Sequence, residues 1–581
     1  MCGIFTLLNN KGKYNNEFIK KQFIKGKGRG PEFSILQPEF YDYILGFHRL
    51  AINGIDKKSN QPLILNNELI LICNGEIYNY KELYHLMNIE PNTNSDCEII
   101  LHLYKHYGMM QTLRMLDGVF AFVLLDLRIM NDEPLLYVAR DPFGVRPLYM
   151  LNSDDVNNTL IGFASEMKML FEFKDYGYDI NHFQPGTCEM YRHSTGLCAN
   201  WQYNNYVKYH NITFESILNV SNQRYSMQNI YNNIIFYLKN AVYKRCRNTD
   251  RQVACLLSGG LDSSLICALV CEFNRENGLP PPETYSIGLF GSQDLKYAKT
   301  VSHFLQTSHT EIIVSEDEFV NEIENVIYAI ESYDTTTIRA SLGNYILGKY
   351  ISQNSNAKVI FNGDGSDELC GGYLYFHYAP DSIEFDSECN SLLDNIHKYD
   401  VLRSDKCISC HGLEPRTPFL DRSWCQYYMS IPIDIRNHNK FGYIEKYLLR
   451  TAFNKDNYGS TLLPYEILWR SKEAFSDGVS IQSRSLFEII QEQIASKTIK
   501  NIYNEKTNYV EPKTKEQQYY LMLFDKYYKG CGNIISKYWM PRYIDALDAS
   551  ARTLDIYQKK NNNVITDLSD DTDTMMMNAI V

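Results

Sequence analysis

The second residue of the chain is a cysteine, Cys2, followed by Gly3-Ile4-Phe5. A residue this small in second place favours removal of Met1, which would leave Cys2 with a free α-amino group beside its thiol. A cysteine is only slightly ionised at neutral pH and needs a base close by. Its own α-amino group, with a reference pKa of about 7.7–8.0, is the nearest one. Three further strings supply what a nucleophile there would need. Arg49, in His48-Arg49-Leu50-Ala51-Ile52, can hold a small carboxylate through two parallel bonds. Asn74 and the Gly75 backbone N–H, in Asn74-Gly75-Glu76-Ile77-Tyr78-Asn79, suit an oxyanion hole, whose donors must be fixed where charge develops. Asp96, in Asn94-Ser95-Asp96-Cys97-Glu98, can accept from a substrate ammonium. Taken singly, these are an inert cysteine, a surface arginine, a hairpin turn and a helix cap; together they read as one site.

A second string, Ser258-Gly259-Gly260-Leu261-Asp262-Ser263-Ser264, follows an apolar strand and opens a helix. Glycines let backbone approach phosphate, and a helix N-terminus offers free N–H groups and a favourable dipole. Asp262 adds a carboxylate where Mg²⁺ would bridge phosphate oxygens. Ser-Gly-Gly alone is an ordinary turn, so the strand–loop–helix context carries the reading. The string lacks the Gly-Lys-Ser/Thr of a Walker A loop.

The elements that position these strings fall into two textures. Up to about residue 205, short apolar runs (Ile4–Leu8, Tyr43–Phe47, Leu69–Cys73, Phe120–Leu125, Leu135–Ala139) alternate with turns, and helical stretches stand at Tyr80–Leu86 and Glu98–Tyr107. From about 226 the spacing predicts a helix at Met227–Arg245, strands at Gln252–Leu257, Thr284–Leu289 and Lys358–Phe361, and a helix at Leu261–Phe273. That succession is the mark of a parallel α/β sheet. A chain of 581 residues exceeds one hydrophobic core, and two domains are expected. Hydrophobic residues at 44% and charged residues at 22% exclude a disordered or fibrous chain. With 57 basic and 69 acidic residues the net charge is −12, which argues against nucleic acid as a partner.

The first region resembles the class II, N-terminal-nucleophile glutamine amidotransferase domain. Besides the strings above, the resemblance rests on Arg29-Gly30-Pro31, Gln61-Pro62, Leu116-Asp117-Gly118-Val119-Phe120-Ala121, Arg140-Asp141-Pro142-Phe143-Gly144-Val145-Arg146-Pro147-Leu148, Phe163-Ala164-Ser165-Glu166 and Gln184-Pro185-Gly186-Thr187. It implies an α+β domain, an αββα sandwich at 2–205, in which Cys2 attacks the side-chain amide of glutamine and releases ammonia and glutamate. Cys2, Asn74 and Gly75 would then be catalytic. Arg49, Leu50, Ala51, Ile52, Asn53, Asn74, Gly75, Glu76 and Asp96 would surround glutamine.

The second region resembles the PP-loop ATP pyrophosphatases, which split ATP between its α and β phosphates and adenylate a substrate oxygen. This implies an α/β, parallel-sheet domain with many helices at 226–545, after a linker at 206–225 and before a polar, disordered tail at 546–581. Leu256, Ile287 and Gly363 would lie against adenine. Ser258, Gly259, Gly260, Asp262, Ser263, Asn362 and Lys472 would complete the ATP site, with Asp262 and Asp367 on Mg²⁺–pyrophosphate.

In order and size the pair resembles the glutamine-hydrolysing asparagine synthetases over about residues 2–545. Further strings support this: Glu331-Ser332-Tyr333-Asp334-Thr335-Thr336-Thr337-Ile338-Arg339-Ala340-Ser341, Pro418-Phe419-Leu420-Asp421, Trp469-Arg470-Ser471-Lys472-Glu473-Ala474-Phe475-Ser476-Asp477-Gly478 and Tyr538-Trp539-Met540-Pro541. The resemblance implies glutamine, aspartate and ATP with Mg²⁺ as small-molecule partners. It also implies Lys472 at developing phosphate charge, Arg339 at aspartate or pyrophosphate, an ammonia tunnel between the sites, and a homodimer as in bacterial-type relatives. Two positions depart from the family string: Asn362 stands where Ser is usual and Asp364 where Glu is usual. That Glu is the family's proposed base, and Asp364 is expected to keep the role with a side chain one methylene shorter. A further departure, within Glu414-Pro415-Arg416-Thr417, lies outside the proposed chemistry.

Other signals are weaker. Cys407-Ile408-Ser409-Cys410-His411 fits a haem-attachment spacing, but the N-terminus offers no export signal, and one C-x-x-C gives only two of the roughly four ligands structural zinc uses. Neither haem nor zinc is expected. No run approaches the roughly 18 apolar residues of a membrane span, and a cytoplasmic protein without a membrane partner is expected. Amidation of another carboxylate, adenylation-driven ring closure as in β-lactam synthetases, and a bare glutaminase or inactive scaffold are the alternatives. An intact Cys2, Arg49, Asn74 and Asp96 set disfavours ring closure, which needs no ammonia donor.

Overall fold

The computed structural model describes residues 2–40, 42–128, 133–153, 159–174, 177–194, 199–211, 226–481, 484–546 and 548–557. The N-terminal half holds two six-stranded antiparallel sheets. The first runs Asp179–His182, Tyr149–Asn152, Ile161–Ala164, Gly3–Leu8, Tyr43–Arg49, Phe33–Leu36. The second runs Trp201–Lys208, Thr187–His193, Leu135–Arg140, Gly118–Asp126, Leu69–Ile77, Leu63–Leu65. Side chains alternate across a strand, and that period builds the layers. Ile4 and Leu8 pack between the sheets with Phe47, Ile72 and Val123. Phe5 and Leu7 face the opposite way, against Ile19 and Phe23 of the helix Asn16–Phe23. On the far side of the second sheet, Leu71 and Phe122 meet Leu83, Ile100 and Leu103 of the helices Tyr80–Met87 and Ile99–Met115. The result is the expected αββα sandwich, with Cys2 at the start of a central strand.

The C-terminal half is built on a five-stranded parallel sheet in the order Ser308–Val314, Glu283–Leu289, Val253–Leu256, Val359–Phe361, Glu414–Arg416. Its inner strands Val253–Leu256 and Val359–Phe361 are apolar throughout because helices cover both faces. Cys255 and Phe361 pack on Leu238 and Leu265, while Ala254, Leu256 and Ile360 pack on Ile338, Leu342 and Ile408. Two strands lack a sequence signal. Ser308–Val314 is polar and half-buried at one edge, and Glu414–Arg416 carries two buried charges and a proline at the other. An edge strand tolerates proline because its missing N–H is not needed in the ladder. From Val253–Leu256 the chain adds strands first on one side and then, with Val359–Phe361, on the other. Their shared boundary is the switch point at which α/β sheets bind ligands.

The halves meet across a layer of buried charge. Arg29 donates to Glu166 at 2.8 Å and to Asp405 at 2.7 Å, and Lys406 pairs with Glu331 and with Glu166 at 3.3 Å. Lys168, 2.7 Å from Glu166, together with Lys406 and Arg29 holds the Glu166 carboxyl well below the ordinary range despite its burial.

Two expected boundaries move. The last sheet strand of the first half extends to Lys208, and Tyr209 donates its hydroxyl to the Arg140 carbonyl at 2.7 Å, so the linker cannot begin at 206. The expected tail at 546–581 begins too early. Asp548, Ser550 and Leu554 are buried, because the polar residues of this stretch find charged partners inside the domain. The remainder of both segments, 212–225 and 558–581, lies outside the described residues.

Candidate functional site

Cys2 is half-buried, with Sγ 3.7 Å from the Leu50 carbonyl and its own carbonyl accepting from Arg29 Nε at 3.0 Å. Burial pushes its thiol pKa up, while a backbone hydrogen bond with Leu50 and the nearby Arg49 charge pull it down. Asn74 and Gly75 lie on the strand Leu69–Ile77, and Asn74 Nδ2 is 3.5 Å from Ser165 Oγ. Asn74 Oδ1 is buried with no hydrogen-bond partner. Arg49 ends the strand Tyr43–Arg49 and donates to the Asp56 carbonyl at 2.9 Å, Asn60 Oδ1 at 2.6 Å and the Gly54 carbonyl. It thereby pins the loop that contains the buried Leu50, Ala51, Ile52 and Asn53. Asp96 is buried and accepts from the Ile77 N–H at 2.6 Å; desolvation lifts its pKa to about 7. Glu76 departs from expectation. Its Oε2 accepts from Asn53 at 2.6 Å and Asn248 at 3.2 Å and faces Arg416 at 3.4 Å, so it belongs to the contact between the halves.

At the switch point of the parallel sheet an open-mouthed cleft of about 1390 Å³, solvent at its mouth included, gathers the second set. Leu256, Ser258, Gly260, Asp262, Ser263, Ile287, Asn362, Gly363, Asp364, Asp367 and Lys472 all line it. The helix Leu261–Glu276 has Gly260 at its N-cap and no side chain satisfying its first N–H groups, the condition under which a helix end takes an anion. Gly259 sits behind this surface at φ +72°, where a Cβ would stand 2.4 Å from the Ala298 nitrogen. At Gly363 a Cβ would stand 2.7 Å from the Ser263 nitrogen, so glycine there lets the two phosphate-side loops touch.

The acidic groups are held by Lys472 and by a second lysine, Lys446, that carried no sequence signal. Lys446 Nζ is 2.7 Å from Asp262 Oδ2 and 2.6 Å from Asp367 Oδ1, and Lys472 Nζ is 2.6 Å from Asp367 Oδ2. Lys472 keeps its proton because Asp367 and Asp262 outweigh the desolvation that opposes it. Lys446 adopts φ +59°, a left-handed conformation that costs a non-glycine residue about 1–2 kcal/mol and recurs at functional positions. Asp364 faces Arg403 at 3.4 Å, and Arg403 also pairs with Asp400. Asn362 accepts from the Asp364 N–H at 3.3 Å and donates to Ser404 at 2.7 Å. Arg339, expected at aspartate or pyrophosphate, does not line this cleft: it is bound by Glu516 at 2.5 Å and Asp548 at 2.7 Å and lines the side cavity next to it. In the C-x-x-C-H string, Cys410 Sγ donates to the Cys407 carbonyl at 3.4 Å and the His411 ring packs on Tyr345 at 4.6 Å.

Asp262 and Asp367 are hard oxygen donors converging on one point, which suits Mg²⁺. Among the described residues no group of three His, Cys, Asp or Glu forms a metal cage. An ion held here would therefore take its remaining ligands from phosphate and water.

The asparagine synthase family profile matches residues 236–387 and 379–529, and the glutamine amidotransferase domain profile matches 1–223. Over 577 residues the chain is 39% identical to asparagine synthetase [glutamine-hydrolyzing] of Gallus gallus, covering 96% of this chain and 99% of that protein. It is 38% identical to the Mus musculus protein over 577 residues and 39% identical to the Homo sapiens protein over 578, with the same coverage. None of the helices is long and apolar enough to cross a membrane among the described residues. With both family profiles matched and likeness along nearly its whole length, the chain belongs to the glutamine-hydrolysing asparagine synthetase family.

Proposed function

We propose that the chain converts L-aspartate, L-glutamine, ATP and water into L-asparagine, L-glutamate, AMP and pyrophosphate. The observation that carries this reading is the convergence of Ser258, Gly260, Asp262, Ser263, Asp367 and Lys472 in one cleft, on a chain whose other half sets Cys2 Sγ against the Leu50 carbonyl, next along the chain from Arg49.

In the first site, Arg49 and Asp96 engage the α-carboxylate and α-ammonium of glutamine, and Cys2 Sγ attacks the side-chain amide carbon. Asn74 and the Gly75 N–H hold the oxyanion; ammonia leaves as the acyl–sulfur bond forms, and water then releases glutamate. In the second site, a β-carboxylate oxygen of aspartate attacks the α-phosphorus of ATP and pyrophosphate departs. Lys472 meets the charge that develops on the phosphates, where a preorganised cation acts most strongly. Mg²⁺ entering with the nucleotide and held by Asp262 and Asp367 would neutralise pyrophosphate charge. Ammonia attacks the β-aspartyl carbon, Asp364 takes up its proton, and AMP leaves with asparagine formed.

The test is an incubation of purified protein with glutamine, aspartate, ATP and Mg²⁺, followed for asparagine, AMP and pyrophosphate in equal amounts. Glutamate without AMP would leave only a glutaminase. Cys2→Ala is expected to abolish glutamine use and to retain synthesis from ammonium.

A further inference from the structure

Lys472 reaches the cleft from the stretch Trp469–Gly478, whose helical part is the short turn Phe475–Gly478 and whose Lys472 N–H donates to the buried Glu445 Oε1 at 2.5 Å. A segment of this kind wanders unless it is held from outside, since each ordered residue costs about 1–2 kcal/mol of backbone entropy. Beyond that single backbone bond, the residues flanking Lys472 are held by the C-terminal end of the described chain. Arg552 Nη2 donates to Glu473 Oε1 at 2.7 Å and to the Asp477 carbonyl at 2.7 Å, and its Nη1 donates to the Ile481 carbonyl at 2.9 Å. The Tyr557 hydroxyl donates to the same Glu473 oxygen at 3.1 Å. The other oxygen of Glu473 accepts from Arg470 at 3.1 Å, and Arg470 also meets Asp294 at 3.1 Å. Ser550 Oγ donates to Asp477 Oδ1 at 2.8 Å.

One residue-pair further back, the segment is anchored in the domain interior. Asp548 takes both terminal nitrogens of Arg339, at 2.7 and 2.8 Å, and Arg339 is fixed in turn by Glu516. Ser550, Ala551 and Leu554 also wall a side cavity that shares Thr336, Ala474 and Trp539 with the phosphate cleft. Glu473 is thus gripped on one oxygen by the C-terminal segment and on the other by the residue two places before Lys472.

We propose that residues 548–557 form a strap that fixes the Lys472 segment for the adenylation step, with Arg552 a positioning residue acting through Glu473 and Asp548 its anchor. This rests on the cleft being the ATP site and extends that reading by making it depend on the end of the chain. A misplacement of about 1 Å at a reacting charge costs roughly a hundredfold in rate, and the strap is what holds the ammonium in register with the phosphates.

The test compares ammonium-dependent pyrophosphate release by the full chain, a chain ending at Tyr557, Arg552→Met and Arg552→Lys. Glutaminase activity and amide hydrogen exchange across 470–478 are followed alongside. The chain ending at Tyr557 is expected to match the full chain. Arg552→Met is expected to lower kcat for pyrophosphate release about 10- to 100-fold, to speed exchange across 470–478 and to leave glutaminase activity unchanged; Arg552→Lys recovers part of the rate. Unchanged kcat and unchanged exchange in Arg552→Met would overturn the strap, as would equal loss of both activities. A full chain that releases glutamate but no pyrophosphate would instead overturn the reading of the cleft. Exchange across 470–478 would then decide the strap by itself.

Discussion

Lys446 Nζ lies 2.7 Å from both carboxylate oxygens of Asp262 and 2.6 Å from Asp367 Oδ1, so one buried ammonium joins the phosphate loop to the acidic loop opposite. Removing one member of such a group leaves buried charge uncompensated. Lys446→Met is expected to destabilise the protein by about 3 kcal/mol in denaturant unfolding, the low end for a broken buried pair, because Lys472 still neutralises Asp367. Added Mg²⁺ is expected to recover more stability in this variant than in the parent, since the freed carboxylates offer it hard oxygen ligands.

Asp364 sits between two restraints, the Asn362 side chain on its N–H and Arg403 at 3.4 Å on its carboxylate. The expected outcome for Asp364→Ala is a loss of roughly a hundredfold or more in asparagine formation with glutamine hydrolysis retained. Asn362→Ala removes the turn bond and the link to Ser404, and should lower the same activity by a smaller factor. Asparagine formation at the parental rate in Asp364→Ala would remove this residue from the reaction.

The loop after Arg49, proposed to surround glutamine, is tied to the opposite half. Arg251 Nε donates to the Ala51 carbonyl at 2.7 Å, the Asp250 N–H to the Ile52 carbonyl at 2.9 Å, and the Gly54 N–H to Asp250 at 2.9 Å. Arg251→Met and Asp250→Ala should therefore raise KM for glutamine by about tenfold, the equivalent of one or two lost hydrogen bonds, while ammonium-dependent synthesis stays at the parental level. Equal effects on both nitrogen sources would show general damage instead.

Burial lifts the Asp96 carboxyl from 3.8 to about 7, so it is neutral below that pH and ionised above it. Only the ionised form attracts a substrate ammonium. kcat/KM for glutamine, which reports the free enzyme, is accordingly expected to fall as pH drops through about 7. Asp96→Asn should lower kcat/KM at pH 8 and abolish this inflection; an inflection that persists in the variant would assign it to another group, such as the α-amino base.

Local signals made both chemistries legible in the chain. Cys2, Asn74-Gly75 and the Ser258–Ser263 loop belong to strings whose backbone and side-chain types suit one task, and short apolar runs such as those in Gly3–Leu8 and Leu69–Ile77 marked a strand-rich half, while the sandwich itself was implied by the family resemblance. Glutamic acid 76 shows the limit of that logic, since its place in the string says nothing of Asn248 and Arg416, which approach from the other half.

Sequence by itself determined the two-domain architecture and the sheet type of each half, because these depend on short-range pattern. Tertiary structure alone decided which charges face one another. Lys446 lies 184 residues from Asp262, and Asp548 lies 209 from Arg339. The polar C-terminal stretch has the composition of a tail, yet residues 548–557 lie packed because Arg339, Glu473 and Asp477 wait inside the domain with complementary groups. A buried charge is stable only beside its partner, and the partner is chosen by the fold.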